Sequence, residues 1–168
     1  MRFSMKSMLA AFTFVAISCG GMLYANSFLA TCFATAAFLI VMFGILAAIL
    51  RAGRVRAFWT GFAVFGAGYF LLAMFGERLI DPGSQSAIIV VEPNNIVTAA
   101  PLLVTTGFLI WVEEFIALLV SSGNEPRPYD HLVFFLTNGH AIFTVLFALL
   151  GGALGSWIAG RQAVGKNQ

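Results

Sequence analysis

The sequence predicts an all-α integral membrane protein: a four-helix transmembrane bundle with an external loop region that carries an extra helix. Three observations predict it. The chain is 60% hydrophobic and only 10% charged over 168 residues, with a mean hydropathy of +0.94. Soluble domains carry about a quarter charged residues, so a surface this poor in charge belongs in lipid. Four long apolar runs, residues 8–25, 28–50, 57–76 and 132–160, contain no Asp, Glu, Lys or Arg. The remaining charges sort by sign. In a four-span chain Arg2, Lys6, Arg51, Arg54, Arg56, Arg161 and Lys166 share one side, and all 7 acids fall on the other. That is the positive-inside distribution, with both termini cytoplasmic.

The chain is of a size for a single membrane domain, residues 1–168. A formal charge of +2 is too small to argue for nucleic acid as a partner. No Gly-rich phosphate loop and no aromatic-interleaved basic face accompany it.

The first run, residues 8–25, follows Arg2 and Lys6 and is long enough to span at ~1.5 Å per residue. It reads as a first transmembrane helix. It also reads as a signal segment, because Ala16-Ile17-Ser18-Cys19 resembles a bacterial lipoprotein cleavage site with Cys19 as the lipidated residue. Ala16 departs from the usual Leu, and the apolar stretch continues past Cys19 to Tyr24. Cys19 and Cys32 form no CxxC and have no nearby histidine, so they make no zinc or redox motif. They read as two inert apolar thiols rather than a disulfide.

Residues 28–76 organise the chain: two apolar runs joined by the basic loop Arg51-Ala52-Gly53-Arg54-Val55-Arg56. In the second run Ala30, Ala34, Ala37, Val41, Gly44 and Ala48 recur at steps of three and four. That spacing puts small residues on one helical face, where backbones can approach closely. The third run opens on Phe58-Trp59, an aromatic pair at interface depth, and carries Gly61, Gly66 and Gly68 for close packing.

Residues 77–131 differ in kind and form the external region. All 7 acids and all 5 prolines lie there. Residues 87–91 are a short β-branched run with a strand signal, and Glu92-Pro93-Asn94-Asn95 reads as a turn. Residues 102–120 are apolar enough to suggest a fifth span. Their Leu, Ile, Val and Phe residues favour insertion by roughly 4–7 kcal/mol in all; Glu113 and Glu114 oppose it by about 5–7 kcal/mol at the centre. Hydropathy therefore does not decide. A fifth span would move Arg161 and Lys166 outside, so charge placement predicts a helix lying at the outer interface or tucked against the bundle. Pro101 suits its first turn and Gly123 lies just past its end.

The last run, residues 132–160, is long enough to tilt or protrude. One face reads Thr137, His140, Thr144, Ala148, Gly151, Gly155, Ala159. Gly151 and Gly155 form a GxxxG pair. Trp157 sits at the inner interface, matching Trp59.

His140 is the only Asp, Glu, Lys, Arg or His inside the four spans, with Thr137, Asn138 and Thr144 near it. Intramembrane histidine can carry protons, ligate haem or bind metal. His131 lies about 13 Å away along a helix, too far to share a haem with it. A neutral imidazole hydrogen-bonded between packed helices is the structural reading. Glu113 and Glu114 point about 100° apart on a helix and make a solvated edge rather than an acid/base pair. The loop from Glu125 to His131 reads as a stiff connector; Asp130-His131 lacks further metal ligands. No nucleophile elbow, HExxH or serine–lysine pairing occurs. The sequence thus names no catalytic, cofactor-binding or metal residue.

The start MRFSMKSMLAAFT, the segment RAGRVRAFWTGFAVFGAGYFLLAMFG and the ending NGHAIFTVLFALLGGALGSWIAGR together resemble a group of small multi-span membrane proteins of planctomycete bacteria. In that group a basic start precedes paired spans, a basic loop runs into an aromatic and glycine-rich span, and the last span carries GH and GG. The resemblance covers residues 1–76 and 137–161 and does not extend to the middle region in detail. It implies four spans and a bacterial inner membrane, and brings no known activity, substrate or catalytic residue.

The expected function is a non-enzymatic membrane protein, a structural or accessory subunit that packs with itself or a membrane partner. Two other readings stay open: a small transporter or oligomeric channel with His140 and Asn138 in a polar path, and a haem- or quinone-linked redox subunit.

Overall fold

The computed structural model describes residues 5–80, 100–120 and 129–165. Among them every regular element is a helix: α1 Met5–Leu23, α2 Ser27–Leu50, α3 Gly53–Ile80, α4 Ala100–Val120 and α5 Tyr129–Gly165. The all-α expectation therefore holds for the described residues. The strand signal at 87–91, the turn at 92–95, Gly123 and most of the proline-rich connector lie outside them. Three segments are long and apolar enough to cross a membrane, Ser27–Leu50, Gly53–Met74 and His131–Gln162; Met8–Leu23 is a shorter apolar helix.

Local chemistry sets the first two reversals. Asn26 caps α2: its Oδ1 accepts the Leu29 N–H at 2.9 Å, which satisfies one of the helix's free first-turn donors. Its Nδ2 donates back to the Tyr24 carbonyl at 3.2 Å and closes the α1–α2 turn. At the other end Arg51 leaves the helix with extended backbone while its N–H still bonds the Ala47 carbonyl. Gly53 follows at φ +62°, a left-handed conformation that a side chain would resist, and reverses the chain into α3.

α5 is the axis on which the other helices assemble, and its closest neighbour is α3. The two run antiparallel, with Ala57 against Gly155, Gly61 against Gly151 and Gly66 against Ala148. A Cβ at Gly61 would collide with the Gly151 carbonyl, and one at Gly155 with the Ala57 carbonyl. The glycines of both helices are thus spent on backbone-to-backbone contact inside one chain. α2 closes this three-helix core through its small face: Ala30, Ala37, Val41, Gly44 and Ala47 are buried. Gly44 makes room for the Phe62 ring, and Val41 sits over Gly66. Gly68 faces open space instead.

α1 joins the rest near its C-terminal end, where Gly21 lies under the Phe33 ring. Its earlier turns are exposed, Leu9 and Phe12 among them. α4 runs antiparallel to the first half of α5, from Thr106 beside His140 to Glu113 beside His131. Leu109 fits over Gly139 and joins a buried cluster with Ala25, Phe135 and Leu136.

Candidate functional site

The most organised polar cluster of the described residues lies where α3, α4 and α5 meet. His140 of α5 is 8% exposed and Tyr69 of α3 is 7% exposed. The Tyr69 hydroxyl stands 2.9 Å from His140 Nδ1 and donates to Thr105 Oγ1 at 3.1 Å. Thr106 Oγ1 stands 3.2 Å from His140 Nε2. The adjacent threonines of α4 thus reach two members of one network, Thr105 the tyrosine and Thr106 the imidazole. Beneath it Thr144 Oγ1 donates to the His140 carbonyl at 2.9 Å, four residues back along the same helix.

Proton counting restricts the arrangement. The Tyr69 hydroxyl carries one proton. Given to Thr105, it leaves the phenol oxygen to accept Nδ1–H, and Nε2 then accepts the Thr106 hydroxyl proton. Given to Nδ1, it leaves Nε2–H to donate to Thr106. Both neutral tautomers are satisfied, and none of these partners carries a charge. The ring of Tyr69 is held independently, stacked on Phe147 at 4.9 Å between centroids with 23° between planes.

Asn138 is fully buried but faces another way. Two residues before His140 on a helix, it is turned about 200° from it. Its Nδ2 donates to the Gly21 carbonyl at 2.7 Å. Gly21 is in the last turn of α1, where carbonyls have no partner of their own, so α5 supplies a cap for α1 from a distance in sequence. Asn138 Oδ1 and Ser18 Oγ are buried without a hydrogen-bond partner among the described residues.

The other sequence candidates are scattered. Glu113 and Glu114 separate: Glu114 is exposed, while Glu113 turns toward α5 with Oε1 3.9 Å from His131 Nδ1. Only Glu114 is therefore a solvated edge. Cys19 and Cys32 are both free thiols. Thr137 bonds its own helix, to the Val133 carbonyl. Among the described residues no group of three or more His, Cys, Asp or Glu is placed to hold a metal ion.

Sequence reasoning found His140 and missed Tyr69, Thr105 and Thr106. The available signal was modest: a tyrosine within a glycine-rich apolar run and a Thr-Thr pair in the first turns of the ambiguous helix. Neither has a periodicity that points to a histidine elsewhere in the chain.

No protein-family model, curated protein or solved structure matches this chain. The likeness to planctomycete membrane proteins accordingly rests on the quoted sequence segments alone.

Proposed function

We propose that the chain is a non-enzymatic multi-pass membrane protein, a structural or accessory subunit that packs with itself or with a membrane partner. Four spans, α1, α2, α3 and α5, place both termini on the cytoplasmic face of a bacterial inner membrane. The observation that carries the reading is how the buried polar groups are used. Both ring nitrogens of His140 are engaged by hydroxyls of neighbouring helices, and Asn138 caps α1. Each of these bonds ties one helix to another. The surface, by contrast, is apolar over most of its length, with Leu39, Phe43, Ile49 and Leu71 exposed. An apolar groove of about 540 Å³ between α2 and α3, bordered by Ala34, Phe38, Phe70 and Met74, lies open on that surface.

α1 is proposed as the fourth span although its apolar helix Met8–Leu23 reaches only about 24 Å at ~1.5 Å per residue; Tyr24 and Ala25 extend the apolar run toward the ~30 Å hydrocarbon thickness. The charge distribution then sets the orientation. The transport reading needs His140 and Asn138 on one path, whereas they engage different helices. A haem reading needs a free imidazole nitrogen, and His140 offers one only by giving up a bond.

Purification from native membrane in gentle detergents tests the function: a self-assembled oligomer or a stoichiometric partner is expected, and a lone monomer under every condition overturns it. Reporter fusions at residues 53 and 168 test the topology, both being expected on the cytoplasmic side.

A further inference from the structure

We infer that α4 is a half-inserted helix, N-terminus deepest, whose exposed aromatic stripe is the docking surface for the outer lipid–water interface. The inference rests on the membrane reading above.

α4 has two distinct faces. One packs inward through Thr105, Thr106 and Leu109. The other is exposed: Val104, Phe108, Trp111, Phe115 and Leu118, each at least half open. Steps of four and three place these five on one line along the helix, about 21 Å long. Water does not cover such a line without penalty, so it marks a contact surface.

The level of that surface is fixed by packing. Leu109 shares a cluster with Ala25 and Phe135. Ala25 belongs to the α1–α2 turn, where a chain that crosses twice reverses in the headgroup region. Tyr24 and Phe28 flank that turn and are about three-quarters exposed. Phe108 and Trp111, on either side of Leu109, therefore share a level with exposed aromatics on α1 and α2. Aromatic residues collected at one height are the signature of a membrane interface. α5 supplies the ruler. From Phe135 down to Trp157 is about 33 Å at ~1.5 Å per residue, close to the ~30 Å hydrocarbon core. Trp157 marks the opposite boundary, half exposed with the Arg161 guanidinium 4.0 Å from its ring.

The same ruler orients α4. Thr106 meets His140, roughly 8 Å below Phe135, and Glu113 meets His131, roughly 6 Å above it. The N-terminal half of α4 thus enters hydrocarbon with its two hydroxyls bonded to protein. Both carboxylates stay beyond the boundary. A summed hydropathy near zero is what a helix half in and half out should give. Lipid is the occupant because the exposed aromatics at this height come from separate elements, Tyr24 and Phe28 at the α1–α2 turn and Phe108 and Trp111 on α4, and the half-exposed Trp157 marks a second boundary one hydrocarbon thickness away.

Tryptophan quenching in phosphatidylcholine vesicles tests this. With Trp59→Phe and Trp157→Phe, Trp111 is expected to be quenched about twofold more by shallow-brominated than by deep-brominated lipid, and little by iodide, as befits interface depth. Strong iodide quenching, or silence toward both as in a protein-covered seam, overturns the inference. Single-tryptophan proteins retaining Trp59 or Trp157 separate the two levels of failure: if neither responds to brominated lipid the membrane reading falls, and if they respond while Trp111 does not, only the placement of α4 falls. Cysteine labelling is independent of the tryptophan changes. In a Cys19→Ala, Cys32→Ala background, an impermeant maleimide applied outside is expected to modify Leu118→Cys at least about tenfold faster than Val104→Cys, which lies in hydrocarbon. Equal rates overturn the inference.

Discussion

The two halves of α5 are held by different physics. Toward its C-terminal end it meets α3 through Gly151, Gly155 and Ala148, where carbonyls and small residues touch directly. Toward its N-terminal end it meets α4 and α3 through His140, with hydroxyls on both ring nitrogens. The first seam depends on the absence of side-chain atoms and the second on the presence of specific ones. In lipid there is little hydrophobic drive between helices, so association must come from close packing or from hydrogen bonds. This chain uses each on a separate stretch of one helix. The glycine seam tolerates no added volume; the histidine seam requires matched donors and acceptors as well.

Breaking the glycine seam should have the largest effect. Gly61→Leu drives a side chain into the Gly151 backbone, which has no rotamer to yield. A loss of about 3 kcal/mol or more is expected, at the upper end of overpacking penalties, read as a collapse of the thermal transition in detergent. His140→Ala comes next. It removes the acceptor and donor between Tyr69 and Thr106 and should cost about 1–3 kcal/mol through groups left unpaired. Hydrogen exchange should rise in α4 while the α3–α5 glycine seam keeps its protection; a uniform rise along α5 would erase the distinction between the halves.

Tyr69→Phe is gentler. The ring keeps its stacking on Phe147 and only the hydroxyl is lost, so about 0.5–1.5 kcal/mol is expected. The smallest effect has the opposite sign. Gly68 has open space where a Cβ would go, so Gly68→Ala should stabilise α3 by up to about 1 kcal/mol through helix propensity. If it destabilised as Gly61→Leu is expected to, the claim that packing and not glycine itself defines the first seam would fail.

Much of the first seam could be read in advance. The GxxxG pair Gly151–Gly155 and the small face of α2 announce close approach at helical spacing, and Ala30, Ala37, Val41 and Gly44 are indeed buried. Gly68 shows the limit: it shares a sequence context with Gly61 and Gly66 but faces outward. The second seam was legible only at His140. Its partners sit 71 and 34 residues away, on two other helices, and a hydroxyl in a helix more commonly bonds its own backbone, as Thr137 does. Glu113 and Glu114 were unreadable as a pair for a related reason. Hydropathy assigns both the same penalty, while folding turns one toward His131 and leaves the other exposed.

By itself the amino-acid order determined the helical class, the apolar segments and the sorting of charge along the chain. These follow from composition and short-range periodicity, which every copy of the sequence carries before it folds. Tertiary structure alone decided which glycines touch backbone, which hydroxyls complete the imidazole, and where Asn138 caps α1. Those are distances between segments far apart in sequence, and they exist only once the helices have packed.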